Sequence, residues 1–101
     1  MLTLYAATVE SVEVDIETDA DPTGTAPTFA LSAKGASAPG SFSAGSWTTS
    51  YSTSGKTTAR TPTLGSAGTL VIASGSNYDL WVKVTLGSET AVWPVGSVIC
   101  P

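Results

Sequence analysis

Carboxylates are the side chains of this sequence whose spacing could most readily do chemistry. Six of the eight acidic residues fall within one short stretch that holds no lysine or arginine: Glu10, Glu13, Asp15, Glu17, Asp19 and Asp21. Over residues 12–17 the acidic residues alternate with valine and isoleucine, which is typical of a half-buried antiparallel strand. We therefore interpret the acidic run as the solvated face of a strand and the loop that follows it.

A calcium site is the alternative for this run. Asp15, Asp19 and Asp21 would supply the carboxylate oxygens that Ca²⁺ prefers. The run lacks the glycine and the terminal glutamate of the helix–loop–helix calcium loop. We therefore expect no bound metal.

The residues that most catalytic centres need are missing. Histidine is absent and Cys100 is the only cysteine, which excludes histidine-based triads, histidine or cysteine metal centres and an internal disulfide. Serine and threonine are abundant, but no general base is available to activate one. We predict a protein that is not an enzyme and takes no cofactor.

The charge distribution limits the partners. Outside the acidic run the chain has two acidic and four basic residues, which gives a net charge of +2. The basic residues do not form a stripe. Nucleic-acid binding is therefore disfavoured. No stretch approaches the ~20 apolar residues of a membrane span, so we expect no membrane partner. The first residues lack a basic region, so we expect no signal peptide and synthesis in the cytoplasm.

Strands are the elements that must position these residues. The length predicts a single domain, residues 1–101. Period-two alternation between Gly and Pro turn signals predicts about seven strands, the pattern of an antiparallel β-sandwich. They are expected at 12–17, 29–33, 47–51, 57–61 (an edge strand), 69–72, 78–86 and 91–100. Residues 35–45 are expected to form a long mobile loop, and Pro94 predicts an edge position or a bulge in the last strand.

Alternation also divides inward from outward residues. The predicted core comprises Val14, Ile16, Leu31, Trp47, Leu70, Ile72, Tyr78, Leu80, Val82 and Val84. Trp81 and Lys83 should then point to the opposite side of their strand. Trp93 lies in the next strand, and we predict that it joins Trp81 in one exposed apolar patch that binds a partner, with Lys83 beside it.

Ile72, Gly75 and Tyr78 form a motif that specifies a fold. The motif resembles the corner before the penultimate strand of immunoglobulin and fibronectin type III domains, where a tyrosine hydroxyl bonds to backbone upstream. The resemblance implies an immunoglobulin-like or fibronectin-III-like sandwich without a disulfide. If the tyrosine is buried, Tyr78→Phe should cost about 1–3 kcal/mol.

The second half of the chain resembles small virion proteins of tailed phages, particularly phages of actinobacteria. The resemblance covers residues 45–100 and is carried by the segment 78–85 and by the closing Val92, Trp93, Pro94, Val95 and Val98. It implies a structural protein located in the virion, a capsid decoration or head accessory protein. Its partner would be the major capsid protein or another virion subunit in many copies.

Other functions remain open at this stage. A tail or connector subunit is the nearest alternative, and assembly with copies of itself is compatible with the composition. A carbohydrate-binding or adhesion module would use exposed aromatic side chains as stacking platforms, and Trp47, Trp81 and Trp93 are the candidates.

Overall fold

A computed structural model describes residues 2–101 and shows an all-β protein. About half of the chain lies in strands, and residues 2–101 contain no helix. The strands are β1 (Leu2–Thr3), β2 (Glu13–Glu17), β3 (Thr28–Ala33), β4 (Ser43–Ala44), β5 (Ser46–Trp47), β6 (Lys56–Arg60), β7 (Leu64–Gly65), β8 (Leu70–Val71), β9 (Ser76–Leu86) and β10 (Glu89–Cys100). Met1, the first residue of the segment for which no signal peptide was expected, lies outside the described residues.

None of the described chain forms a helix long and apolar enough to cross a membrane.

The strands form two larger sheets and one small pair. A five-stranded sheet has the order β1-β10-β9-β3-β4, and a three-stranded sheet has the order β2-β6-β5. Within them only the β1–β10 pair is parallel. Strands β7 and β8 form a separate parallel pair. The all-β prediction is therefore confirmed.

Buried side chains from both larger sheets meet in one core. Ile16 and Ala59 come from the three-stranded sheet, and Phe29, Leu80 and Val82 come from the five-stranded sheet. The β-sandwich-like character of the chain follows from this shared cluster, because each sheet buries one face against the other. The long hairpin of β9 and β10 contributes most to the core, and the inward residues of β9 alternate as period two requires.

The predicted core is largely present. Ile16, Leu70, Ile72, Leu80, Val82 and Val84 are buried, whereas Val14, Leu31, Trp47 and Tyr78 are only partly buried against the cluster. Buried residues that the alternation did not identify are Leu4, Phe29, Ala59, Leu64, Val98 and Cys100.

Three strand predictions need correction. Strand β6 was expected at an edge but lies between β2 and β5. The strand expected over residues 47–51 is limited to Ser46–Trp47. The ladder with β6 ends there, because the Thr58 N–H bonds to the Thr49 hydroxyl instead of a backbone carbonyl. The strand expected over residues 69–72 is Leu70–Val71, paired with β7 rather than with a sheet.

Strand β10 carries the irregularity that Pro94 predicted. Its register with β9 shifts between Pro94 and Gly96, so Val95 forms a bulge. In the part of the chain that the structure describes, strand β1 pairs with β10 only at Val98 and Ile99. Pro94 therefore also lies at a free edge, where its missing N–H breaks no ladder bond.

The chain crosses from one sheet to the other at Gly45, between β4 and β5. A Cβ at this position would meet the Arg60 carbonyl oxygen and lie 2.7 Å from a ring carbon of Phe29. The Gly45 N–H donates to the carbonyl of Pro27 at 2.8 Å. Glycine is required here by close approach to neighbouring atoms.

Candidate functional site

Trp81 lies at the middle of the five-stranded sheet, on the face turned away from the core. Its neighbours Leu80 and Val82 are both buried, so alternation places the indole on the outer face. The indole Nε1–H donates to the Ser32 hydroxyl on β3 at 2.9 Å. Directly opposite Trp81 lie Ala30 on β3 and Pro94 on β10. The outward position of Trp81 agrees with the alternation in the sequence.

Trp93 does not join Trp81, and the prediction of a shared patch is wrong. Trp93 lies directly opposite Val82, which is fully buried. Opposite residues of an antiparallel pair point to the same face, so Trp93 faces inward and packs against the core. Trp81 and Trp93 therefore lie on opposite faces of one sheet.

Other residues extend the surface around Trp81. Val92 is opposite Lys83 and remains 41% exposed, and Pro94 is exposed beside Trp81. The Lys83 ammonium lies 4.5 Å from the centre of the Phe42 ring, within the range of a cation–π contact. We call Trp81, Lys83, Val92, Pro94 and Phe42 the outer patch.

The sequence contained a signal for Val92 and Pro94. A two-residue turn at Gly87 and Ser88 pairs Leu86 with Glu89, and counting back along both strands places Pro94 opposite Trp81. Phe42 had no such signal, because it precedes the two-residue strand β4 and reaches Lys83 through tertiary structure.

Charges near the outer patch hold the loop that follows β3. The Asp79 carboxylate accepts the Gly35 N–H at 2.9 Å, and the Lys34 ammonium donates to the Ser97 hydroxyl at 3.0 Å. Both contacts fix the start of the loop expected over residues 35–45. The loop is shorter than predicted, because Ser43 and Ala44 form β4 directly after Phe42.

The corner residues lie together at one end of the hairpin. Ile72 is buried, and the Tyr78 hydroxyl accepts the Ala73 N–H at 2.9 Å, five residues upstream. Gly75 has a φ of +80°, a conformation that favours glycine, and its N–H donates to the Cys100 carbonyl at 2.7 Å. The corner is thus joined to the last strand.

Carboxylates of the acidic run are spread along β2 and the loop after it. Glu13 and Glu17 pair with Arg60 and Lys56 across the sheet, at 3.0 and 3.7 Å. Asp15 accepts the Thr58 hydroxyl. Residues 2–101 contain no cluster of three groups arranged to hold a metal ion, so nothing supports the calcium alternative.

Asp21 is engaged within the loop. Hydrogen bonds from the Thr23 hydroxyl at 2.6 Å and from the Thr23 backbone N–H at 2.9 Å lower the pKa of Asp21. The carboxylate stays ionised and shapes a tight turn.

The third tryptophan lies on the other sheet. Trp47 packs partly against the core and donates its Nε1–H to the Thr25 carbonyl at 2.9 Å. It borders a shallow depression with Tyr51, Asp21 and Thr23. The three tryptophans therefore do not form one stacking platform.

Comparison with protein-family models, with curated proteins and with solved structures finds no match to this chain.

Proposed function

We propose that this chain is a non-enzymatic structural protein of a tailed-phage virion, a decoration protein that binds the outside of the capsid through the outer patch. The row formed by the half-buried Trp81 and the exposed Val92 and Pro94 is the observation that carries the proposal. Aromatic and aliphatic side chains grouped on the outer face of a sheet, and at least partly open to solvent, are typical of protein interfaces.

We further propose that the fold is immunoglobulin-like. In this assignment β2, β5 and β6 correspond to strands B, D and E, and β3, β9 and β10 to strands C, F and G. The strand orders of the two larger sheets and the hydrogen bond of Tyr78 to Ala73 support it. The parallel pair β7–β8 is an addition between strands E and F.

Physical properties of the outer patch suit docking to a large assembly. Lys83 is its only charged member, and burying an ionised group is far more costly than burying an apolar one. The Trp81 indole is already oriented by Ser32, so little side-chain freedom is lost when a partner packs against it. The cation–π contact between Lys83 and Phe42 holds both side chains at the edge of the outer patch.

The capsid as partner is supported by the resemblance of residues 45–100 to small virion proteins. On this proposal the chain is made in the host cytoplasm, needs no cofactor and binds the major capsid protein in many copies. Neither nucleic acid nor a membrane takes part.

Quantitative mass spectrometry of purified particles tests the proposal. A copy number on the scale of the capsid protein supports a head decoration protein. A copy number that corresponds to a single small ring of subunits would instead identify a connector or tail subunit. Absence of the protein from the particle would overturn the virion assignment.

A carbohydrate-binding module is the second candidate, and the depression beside Trp47 and Tyr51 favours it. Aromatic rings next to the ionised Asp21 carboxylate and several hydroxyls are the groups that bind sugars. A glycan array tests this candidate, with Trp47→Ala as the variant that should lose any binding. No binding to the array by the parent protein would remove it.

A further inference from the structure

An apolar groove opens on the side of the sandwich where β2 and β10 face each other. Its volume is about 210 Å³, roughly that of seven water molecules in the liquid. Val12 and Val14 line it from one sheet, and Leu80, Val95 and Val98 line it from the other. This groove is separate from the outer patch, which lies on the opposite face of the five-stranded sheet.

Both walls of the groove are edges of sheets. In the described chain β2 pairs only with β6, so its other edge has no strand beside it. Within residues 2–101, positions 89–97 of β10 likewise pair with β9 alone, because the pairing of β1 with β10 begins only at Val98. Free backbone donors and acceptors at such an edge pair readily with an added strand.

Of the two edges, β2 is the one suited to pairing. Pro94 has no N–H and the bulge at Val95 disturbs the spacing of β10, which are both features that prevent strand addition. Strand β2 has no proline and no bulge. An added strand would therefore bond to β2 and use β10 as the far wall.

Space for the side chains of that strand lies beside Gly96. Gly96 is opposite the buried Leu80, so a side chain here would point inward, and a Cβ would meet no atom within 4 Å. The absence of a side chain at Gly96 keeps the groove open. The volume accommodates about two aliphatic side chains from alternate positions of a strand.

The acidic side chains of β2 determine which kind of strand can be added to it. The exposed face of β2 carries Glu13, Asp15 and Glu17, and only Glu13 and Glu17 have a cation opposite them on β6. A second copy of β2 would place like charges side by side, which destabilises a strand pair. Basic side chains on the added strand would instead lie next to these carboxylates.

We propose that this groove binds an extended segment of a partner protein in which apolar and basic residues alternate. The segment adds to β2 as a fourth strand of the small sheet, its apolar side chains fill the groove, and its basic side chains face Glu13 and Asp15. This is strand addition, in which backbone bonds supply affinity and alternate pockets supply specificity. It is independent of the outer patch and of the capsid proposal.

A peptide that alternates lysine and valine is the probe. Binding to the protein is followed by calorimetry and by NMR shifts of the Glu13 and Asp15 amides. These amides face the free edge of β2, because the alternate residues bond towards β6, as Val12 does to Thr61. The titration should show saturable binding that weakens with salt. A matched peptide that alternates glutamate and valine should bind at least tenfold more weakly. Equal binding of both peptides, or no binding of the basic one, would overturn the proposal.

Gly96→Leu places a side chain in the groove and should reduce binding of the basic peptide at least tenfold. Gly40→Leu is the matched control, because a Cβ there also meets nothing within 4 Å but lies in a remote loop. If Gly96→Leu does not fold, the double variant E13Q/D15N, which removes only charge, takes its place and should weaken binding. Unchanged binding in the folded groove variant would refute the assignment.

Discussion

The Trp81 indole donates a hydrogen bond to the Ser32 hydroxyl on the adjacent strand, on the face of the sheet that turns away from the core. The bond satisfies the one polar group of a large apolar side chain. Trp93, one strand away, packs inward. The two tryptophans of this hairpin therefore lie on opposite faces of the sheet, and on our proposal they have different roles, one in docking a partner and one in stabilising the fold.

Replacing each of these tryptophans by alanine should separate the two roles. Trp93→Ala removes packing against the core and should lower the free energy of unfolding by about 2 kcal/mol or more. Trp81→Ala should cost clearly less, since the indole lies outside the core. Urea denaturation of both variants measures the difference. A Trp81 variant as unstable as the Trp93 variant would place Trp81 among the core residues.

Tyr78→Phe should lower the free energy of unfolding by about 0.5–1.5 kcal/mol. The phenyl ring keeps its packing, but the Ala73 N–H loses its acceptor. This figure is smaller than the sequence suggested, because Tyr78 is only partly buried and water reaches Ala73. Tyr5→Phe is the control, at a side chain that is 59% exposed. If the two variants have the same free energy of unfolding, the Tyr78 hydroxyl does not stabilise the corner.

Two buried threonines should respond oppositely to replacement by valine. The Thr57 hydroxyl is buried and has no hydrogen-bond partner in the described chain, so Thr57→Val should stabilise by about 1 kcal/mol. The Thr61 hydroxyl accepts the Val12 N–H at 3.0 Å, so Thr61→Val should destabilise by a similar amount. Thermal melts of both variants provide the measurement, and changes of the same sign would contradict this account.

Gly45→Ala should destabilise the protein by about 1–3 kcal/mol, because the added methyl group meets the Phe29 ring and the Arg60 backbone. Gly40→Ala is the matched control, with open space around its Cβ, and should be neutral within about 0.5 kcal/mol. Chemical denaturation compares the two. If Gly45→Ala is also neutral, the close crossing between the sheets is not as described.

Strict alternation made much of this fold predictable. Residues 12–17 and 78–86 each place every second side chain in the core, and the structure has strands over both segments. Phe29 and Val98 also lie in predicted strands. The alternation around them is too short to identify them as buried. Two-residue strands such as β4 carry no periodic signal and form through neighbouring chain segments.

The outer patch was predictable only in part. Alternation placed Trp81 outward, but the pairing of Trp81 with Pro94 depends on the length of the hairpin turn at Gly87 and Ser88. A shift of one residue in register moves every side chain to the other face, which is why Trp93 was assigned wrongly. The contact of Lys83 with Phe42 joins residues far apart in the chain, and no local pattern encodes it.

Sedimentation of the purified protein with bare capsids tests the proposed function most directly. We predict saturable co-sedimentation of the parent protein, and a loss of about 2 kcal/mol or more in binding free energy for folded Trp81→Ala. The exposed and remote Val71→Ala should bind as the parent does. A parent protein that stays in the supernatant would contradict the decoration role, and a Trp81 variant that binds normally would exclude the outer patch as the interface.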